Sequence, residues 1–336
     1  MKEKLFIVFF LFILAFASNT YSQGPYYIRY VTSNSVGSHQ GFHLTNFKRL
    51  VEKYSNDQIK VLLIMDGKYG SEHDNVMGTA KGDIEMCVLA VNNATIYAPI
   101  VGVMTLPYIF PHREDAIRLF KHPIMEEMNK EMIRTANFRA LSWIVGGYRV
   151  LSNSKKEVKT PADLQGLRIR VPLNDIMQAT YRAWGIEPIP YAWNKVFDGL
   201  KTGFFDGQDN PYSDDLNMPN SNGQFHTVQK YITNIHYIMW TGPVLINEDY
   251  YQSLPKKLQQ AVNRAAKDAA KLEWQWIDKS NQKLLGFLMN KGLKYTEPAD
   301  NEKEWIAKAK TVWPLFYDRI GGKAFVDRVV KVIEEN

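Results

Sequence analysis

Apolar and polar positions recur along the chain with two different periods, and the switches between them mark its elements. Tyr26 to Val31 has the short period of a strand, while His39 to Tyr54 places Phe42, Asn46, Phe47 and Leu50 at helical spacing. Lys60 to Met65 is a second strand, so strand, helix and strand open a parallel α/β unit. Gly67 to Gly70 reads as a turn. Ser71 is placed to cap a helix, with Asp74 three residues on, and Asn75 to Lys81 runs to a stop at Gly82. Ile84 to Val91 is a third strand, and the prolines of Leu106-Pro107-Tyr108-Ile109-Phe110-Pro111 mark an irregular crossing. Arg113 to Ala136 holds one or two amphipathic helices, and Phe138 to Val145 is a strand stopped by Gly146-Gly147.

That glycine pair is a hinge candidate, because glycine absorbs backbone change at least cost. Beyond it the pattern predicts a second lobe with a strand at Leu167 to Val171, a helix from Leu173 to Trp184, a short strand at Ile189-Pro190 and a helix from Trp193 to Lys201. A further strand ends at Asn210-Pro211, and Val228 to Ile232 and His236 to Ile246 are strands, the latter returning the chain to the first lobe. From Ser253, with Pro255 in the first turn, Leu258, Val262, Ala265, Ala269, Leu272 and Trp276 follow at spacings of three and four, and the pattern persists to Asn290 before Gly292. Such a helix is roughly 50 Å long at 1.5 Å per residue, longer than one lobe is wide, and is expected to span both. The expected division is 1–22 as a signal peptide, 23–147 plus about 236–275 as one lobe, and 148–235 plus about 276–336 as the other.

Length and composition sharpen this reading in three ways. A chain of 336 residues with 45% apolar content has ample core for two lobes. Lys2 and Lys4 precede an apolar run from Leu5 to Ala17 and then small polar residues, which is the pattern of a secretory signal and too short for a comfortable membrane span. With no cysteine at the junction and no later apolar run of spanning length, the expectation is a soluble protein of the periplasm. The net charge of +6 falls by one with the signal, and its dispersed lysines and arginines argue against nucleic acid while suiting small anions. The single cysteine, Cys87, sits in an apolar run and reads as a buried small hydrophobe.

The chemistry gathers in the stretch from Asp163 to Tyr212. Leu167, Ile169 and Val171 alternate with Arg168 and Arg170 before Pro172, putting arginine at a strand end, where open α/β folds bind ligands. A guanidinium fork suits a carboxylate. By period the two arginines share a face, so spacing does not choose between them. Asn92 and Asn93 at a strand end fit hydrogen bonds to ligand hydroxyls or a turn. Trp240 after the return crossing fits an apolar cleft wall or the core, and Tyr148 the same. His39 and His43 have the spacing of a metal pair, but no third ligand or HExxH frame accompanies them, and no metal or cofactor is expected. A secreted hydrolase is the rival class; the chain has no G-x-S-x-G elbow, no paired nucleophilic cysteine and no phosphate loop.

Leu106-Pro107-Tyr108, Gly166 to Pro172, Leu200-Lys201-Thr202-Gly203, Asp206 to Pro211, Val228-Gln229-Lys230-Tyr231, Leu254-Pro255 and the Gly70-Ser71-Glu72 turn together resemble the solute-binding proteins of TRAP transporters, the DctP family. The resemblance implies a two-lobed α/β periplasmic-binding-protein fold with a long helix bridging both lobes. It implies a monomeric, non-enzymatic protein that captures a small carboxylate-bearing ligand and hands it to TRAP membrane permease subunits; a receptor for a different importer or for a sensor would share the same binding physics. It assigns the ligand carboxylate to Arg170, assistance to Arg149, and orientation of the arginine and ligand contact to Asn210. Asp209 stands where the family usually has Glu, and Ala90 to Asn93 lacks the acidic residue of sialic-acid binders, which argues against that ligand. Tyr and Trp near the expected cleft point to a sugar acid or an aromatic acid.

Overall fold

The computed structural model describes residues 24–212 and 224–335. The signal peptide expected over 1–22 lies outside the described residues. In chain order, β1 (Tyr26–Val31), α1 (His39–Tyr54), β2 (Ile59–Ile64), α2 (Glu72–Lys81) and β3 (Met86–Val88) build the parallel unit that the periodicity predicts. Ser71 caps α2 in a full capping box with Asp74, and Gly82 ends it with a left-handed φ of 82°. The third strand is shorter than expected, because at Val91–Asn93 the chain turns into a 3₁₀ helix.

Two helices, α3 (Arg113–Lys121) and α4 (Ile124–Ala136), precede β4 (Phe138–Tyr148). The chain then enters the second lobe through β5 (Val150–Asn153), β6 (Ile169–Val171), α5 (Asp175–Ala183), β7 (Ile189–Pro190), α6 (Val196–Lys201), β8 (Gly207–Asn210) and β9 (Tyr231–Thr233). It returns through β10 (Met239–Asn247), continues into α7 (Glu248–Ser253) and the 35-residue α8 (Lys256–Asn290), and finishes with β11 (Lys294–Thr296), α9 (Lys303–Lys310) and α10 (Lys323–Glu334). The sheets have orders β2-β1-β3-β10-β4 and β11-β9-β5-β8-β6-β7.

The two crossings between the lobes lie side by side. Met239 pairs with Tyr148 and Trp240 with Gly147, and the Arg149 amide donates to the Ile238 carbonyl at 2.9 Å. This pairing explains a departure from expectation: β4 is not stopped by Gly146-Gly147 but runs through them. The glycines serve close approach instead. A Cβ on Gly146 would stand 3.2 Å from both His39 and Trp240, and Gly147 has a φ of 97° with the Asn281 amide 2.6 Å from where its Cβ would be.

Helix α8 is the spine. Its first half, from Leu258 to Ala270, packs with α1 against the first sheet, and Leu288 near its end enters a core with Val150, Phe225 and Ile232 of the second lobe. It also blunts β4, an edge strand: Trp274 donates to the Trp143 carbonyl at 3.1 Å and Glu273 accepts from the Val145 amide at 3.2 Å, while Asn129 of α4 pairs with both backbone groups of Ala140.

The C-terminus departs from the expected division. Trp305 and Ala309 of α9 pack in the second lobe, but Phe325, Val326, Val329, Val332 and Ile333 of α10 share a core with Leu119 and Met128 of α3 and α4. The strongly amphipathic last helix covers apolar surface that α3 and α4 leave on the first lobe. Among the described residues, no helix is long and apolar enough to cross a membrane.

Cys87 is fully buried in β3, and burial pushes its thiol up to about 12. The folded protein is therefore expected to resist a thiol-directed chromogenic disulfide at pH 8 and to react with one equivalent only in denaturant. A fast native reaction would contradict this burial.

Candidate functional site

The strand ends of both lobes converge on one pocket. From the second lobe it receives Arg149, Arg170, Pro172, Trp193 and Asn210; from the first, Asn34, Gln40, Glu72, Ala90, Asn92, Asn93 and Trp240. The indole of Trp193 donates to Asn34 Oδ1 across the lobes at 2.8 Å, and Asn174 Nδ2 reaches the Asn92 carbonyl and Thr95 hydroxyl, each at 3.2 Å.

Arg170 lies in β6, 3% exposed, and its Nε and Nη2 donate to the Tyr191 carbonyl at 2.9 and 2.6 Å, which fixes the plane of the guanidinium. Arg168 separates from it. That side chain stands just before the ladder begins, 52% exposed, and forms an ion pair with Asp206 at 2.9 Å. Arg149 is 2% exposed at the crossing between β4 and β5. Its Nε donates to Asp209 Oδ2 at 2.9 Å and its Nη2 to the Asp209 carbonyl at 2.6 Å. Asp209 itself is fully buried and also accepts from the Tyr237 hydroxyl. Burial pushes that phenol well above its ordinary value, which keeps it a donor. Asn210 gives its amide to Gln208 Oε1 at 3.0 Å, and Gln208 stands beside Arg170 in the β6–β8 register.

On the opposite wall, Glu72 opens α2 and accepts from the Ala90 amide at 3.3 Å and from Asn93 Nδ2. Thr32 donates to Gln40 Oε1, which orients that amide and leaves Gln40 Nε2 buried without a partner among the described residues. Asn92 Nδ2 is in the same condition. Two buried, unspent donors in a pocket are where a ligand acceptor would bind, since an unsatisfied buried polar group costs about 1–3 kcal/mol.

Six of the seven residues singled out from sequence, Arg149, Arg170, Asn210, Trp240, Asn92 and Asn93, thus line one pocket. Tyr148 does not. Its hydroxyl donates to the carbonyls of Phe110 and Pro111, and its ring meets His236 edge-on, because β4 carries it past the pocket onto the irregular crossing. Trp240 is only 3% exposed and combines the two roles open to it, lining the pocket while packing edge-on against His39 with ring centroids 4.3 Å apart. His39 Nδ1 faces Glu273 Oε1 at 3.2 Å, and His43 Nδ1 meets the Tyr30 hydroxyl at 3.0 Å. Burial lowers His43 to about 3, so it is a neutral core residue. Among the described residues no group of three or more His, Cys, Asp or Glu could hold a metal.

Sequence alone does not reveal Asn34, Gln40, Glu72 and Trp193 as pocket residues. Glu72 carries a usable signal: it follows a recognisable N-cap at the ligand-facing end of a parallel strand unit. For Gln40 and Trp193 the local sequence carries none.

Two α/β lobes joined by paired crossings and a bridging helix, with arginines at strand ends in a pocket that both lobes line, define a solute-binding protein. Bacterial extracellular solute-binding protein family 7, DctP, matches residues 30–319, and the chain belongs to this family. It is a family of binding proteins, not catalysts. A solute-binding protein of Verminephrobacter eiseniae is 29% identical over 88% of this chain and 86% of its own. The 2,3-diketo-L-gulonate-binding periplasmic protein YiaO of Escherichia coli is 24% identical over 94% of each chain. A TRAP periplasmic solute-binding protein of Rhodobacter sphaeroides, solved in an apo open form, shares the fold with a TM-score of 0.77 and 34% identity over 92% of this chain and 99% of that one.

Proposed function

We propose that this protein captures a small organic-acid anion between its lobes in the periplasm and delivers it to the membrane subunits of a TRAP transporter. The observation that carries this reading is Arg170, a buried guanidinium whose plane is held by the Tyr191 carbonyl at the edge of a pocket lined from both lobes. A charge-assisted, forked bond to a carboxylate is far stronger there than at a surface. Arg149 adds a second cation, Asn210 and Asn92 line the same space, and Trp240 supplies an apolar wall. Contacts that need both lobes at once, such as Trp193 to Asn34, favour the closed form, and a ligand held from both lobes would add to them. The YiaO relative carries the name of a sugar-acid binder, which agrees with a carboxylate ligand.

A thermal-shift screen of small carboxylic acids against their neutral amides and alcohols tests this. Ligand at 100 times Kd adds about 2.7 kcal/mol of stability, so a true ligand raises the melting temperature clearly. Stabilisation by carboxylates and not by their amides is expected. Equal shifts from both would remove the anion from the reading.

A further inference from the structure

We infer that the protein carries a second ligand site, a cleft at the outer edge of the first lobe that takes a flat aromatic acid with a polar ring substituent. The cleft holds about 400 Å³, within the range of small-molecule sites, and shares no lining residue with the pocket between the lobes. Its walls come from α3, α4, the edge strand β4 and the middle of α8. The apolar part is aromatic. Phe120 and Trp143 stack with ring centroids 5.5 Å apart, and Trp274 lines the same space with its indole nitrogen tied to the Trp143 carbonyl at 3.1 Å. Rings fixed in this way offer flat faces to another ring.

Two polar features say what such a ring carries. The first is Ser142, whose hydroxyl oxygen is buried in the cleft and has no partner among the described residues. It stands beside a bulge: Ser142 pairs with Val244 and Ala140 with Leu245, so Leu141 is skipped, and a bulge re-aims the side chains of its strand. The backbone around it is already spent, since Asn129 bonds both groups of Ala140 and Trp274 takes the Trp143 carbonyl. The edge therefore offers a hydroxyl and not a free ladder, which suits a small molecule and not an added strand. The second feature is charge. Lys121, Lys267 and Lys271 line the cleft, with Glu126 the one carboxylate among its residues. Lys267 and Lys271 are four apart on α8 and repel each other. Lys267 has no ion-pair partner among the described residues, Lys271 meets Asp268 only at 3.9 Å, and the Lys121 ammonium lies 5.7 Å from the centre of the Trp274 ring. An acid group at this rim relieves the repulsion while its ring covers the aromatic wall. A neutral aromatic leaves the lysines uncompensated, and an aliphatic acid leaves the ring faces bare.

The probe is 6-hydroxy-2-naphthoate, titrated calorimetrically into the full mature chain beside 2-naphthoate, which lacks the hydroxyl, and 6-hydroxy-2-naphthalenemethanol, which lacks the charge. The probe is expected to saturate one site, with each control about three- to tenfold weaker, the scale of one hydrogen bond or of ion pairs at an exposed rim. Lys267→Gln combined with Lys271→Gln is expected to weaken the probe about fivefold and to remove its lead over the alcohol. Ser142→Ala is expected to remove its lead over 2-naphthoate and to leave 2-naphthoate itself unchanged, with circular dichroism confirming the fold of each variant. Arg170→Lys is expected to leave all three compounds unchanged, which separates this cleft from the pocket between the lobes. Probe binding that survives the lysine substitutions and is lost in Arg170→Lys would overturn the second site, as would equal affinity for the acid and the alcohol or the absence of saturable binding. A lead over 2-naphthoate that persists in Ser142→Ala would overturn the role given to that hydroxyl.

Discussion

Arg170→Lys is expected to weaken binding of the preferred acid by about 1–3 kcal/mol, the range for leaving buried hydrogen-bonding groups unsatisfied. The substitution keeps the charge, so the loss isolates geometry. The guanidinium spends Nε and Nη2 on the Tyr191 carbonyl, and its planar fork fixes where the rest of the group points. A lysine ammonium reaching the same depth has no such plane, and three donors on a flexible stem do not hold a backbone carbonyl and both oxygens of a carboxylate at once. The Tyr191 carbonyl would then lose its partner as well. Titration calorimetry against wild type, with melting temperature as the fold control, measures the effect. Unchanged affinity would remove Arg170 from the site.

Most of what is local in this fold is legible in the sequence. The boundaries of β1 and α1 follow from periodicity, and the Ser71 box and Gly82 bracket α2 because capping is chemistry between near neighbours. What stays hidden is pairing at long range. Gly146-Gly147 looks like a stop until β10 lies alongside it, and α10 looks like part of the second lobe until it meets α3. The same division holds in the site. Arg168 and Arg170 are equivalent by period and become different only because β8 pairs from Ile169 onward and Asp206 waits beside Arg168. Gln40 is an ordinary helix residue until Thr32, just past the end of β1, takes its oxygen and leaves its nitrogen unspent. The resemblance to the DctP family points to Arg170, Arg149 and Asn210, but says nothing of the wall that faces them.

That opposite wall and the crossing between the lobes are built from the same parts. Trp240 is both pocket lining and among the first paired residues of β10 after the crossing, and the ring it meets, His39, pairs with Glu273 of the spine helix. Glu273 also accepts from Val145, three residues before Tyr148 ends β4. Burial raises the Glu273 carboxyl while His39 acts to lower it, and both side chains are fully enclosed. The spine therefore holds the crossing strand and the back of the pocket through one buried pair.

Asp209→Asn is expected to cost about 3–5 kcal/mol of stability, because it leaves Arg149 as a buried charge without its carboxylate. Asp209 Oδ2 accepts from both Arg149 Nε and the Tyr237 hydroxyl, at a residue with no exposed surface. An asparagine oxygen remains as one weaker acceptor, and its amide group takes the place of Asp209 Oδ1, which is buried without a hydrogen-bond partner among the described residues. Urea unfolding followed by tryptophan fluorescence measures the loss, and a variant as stable as wild type would show that the pair contributes nothing. The same variant reports on binding. If Arg149 faces the ligand, the incoming carboxylate replaces part of the missing negative charge, so saturating ligand should raise the unfolding midpoint more in Asp209→Asn than in wild type. An equal rise in both proteins would confine Arg149 to holding the crossing together and leave the ligand charge to Arg170 alone.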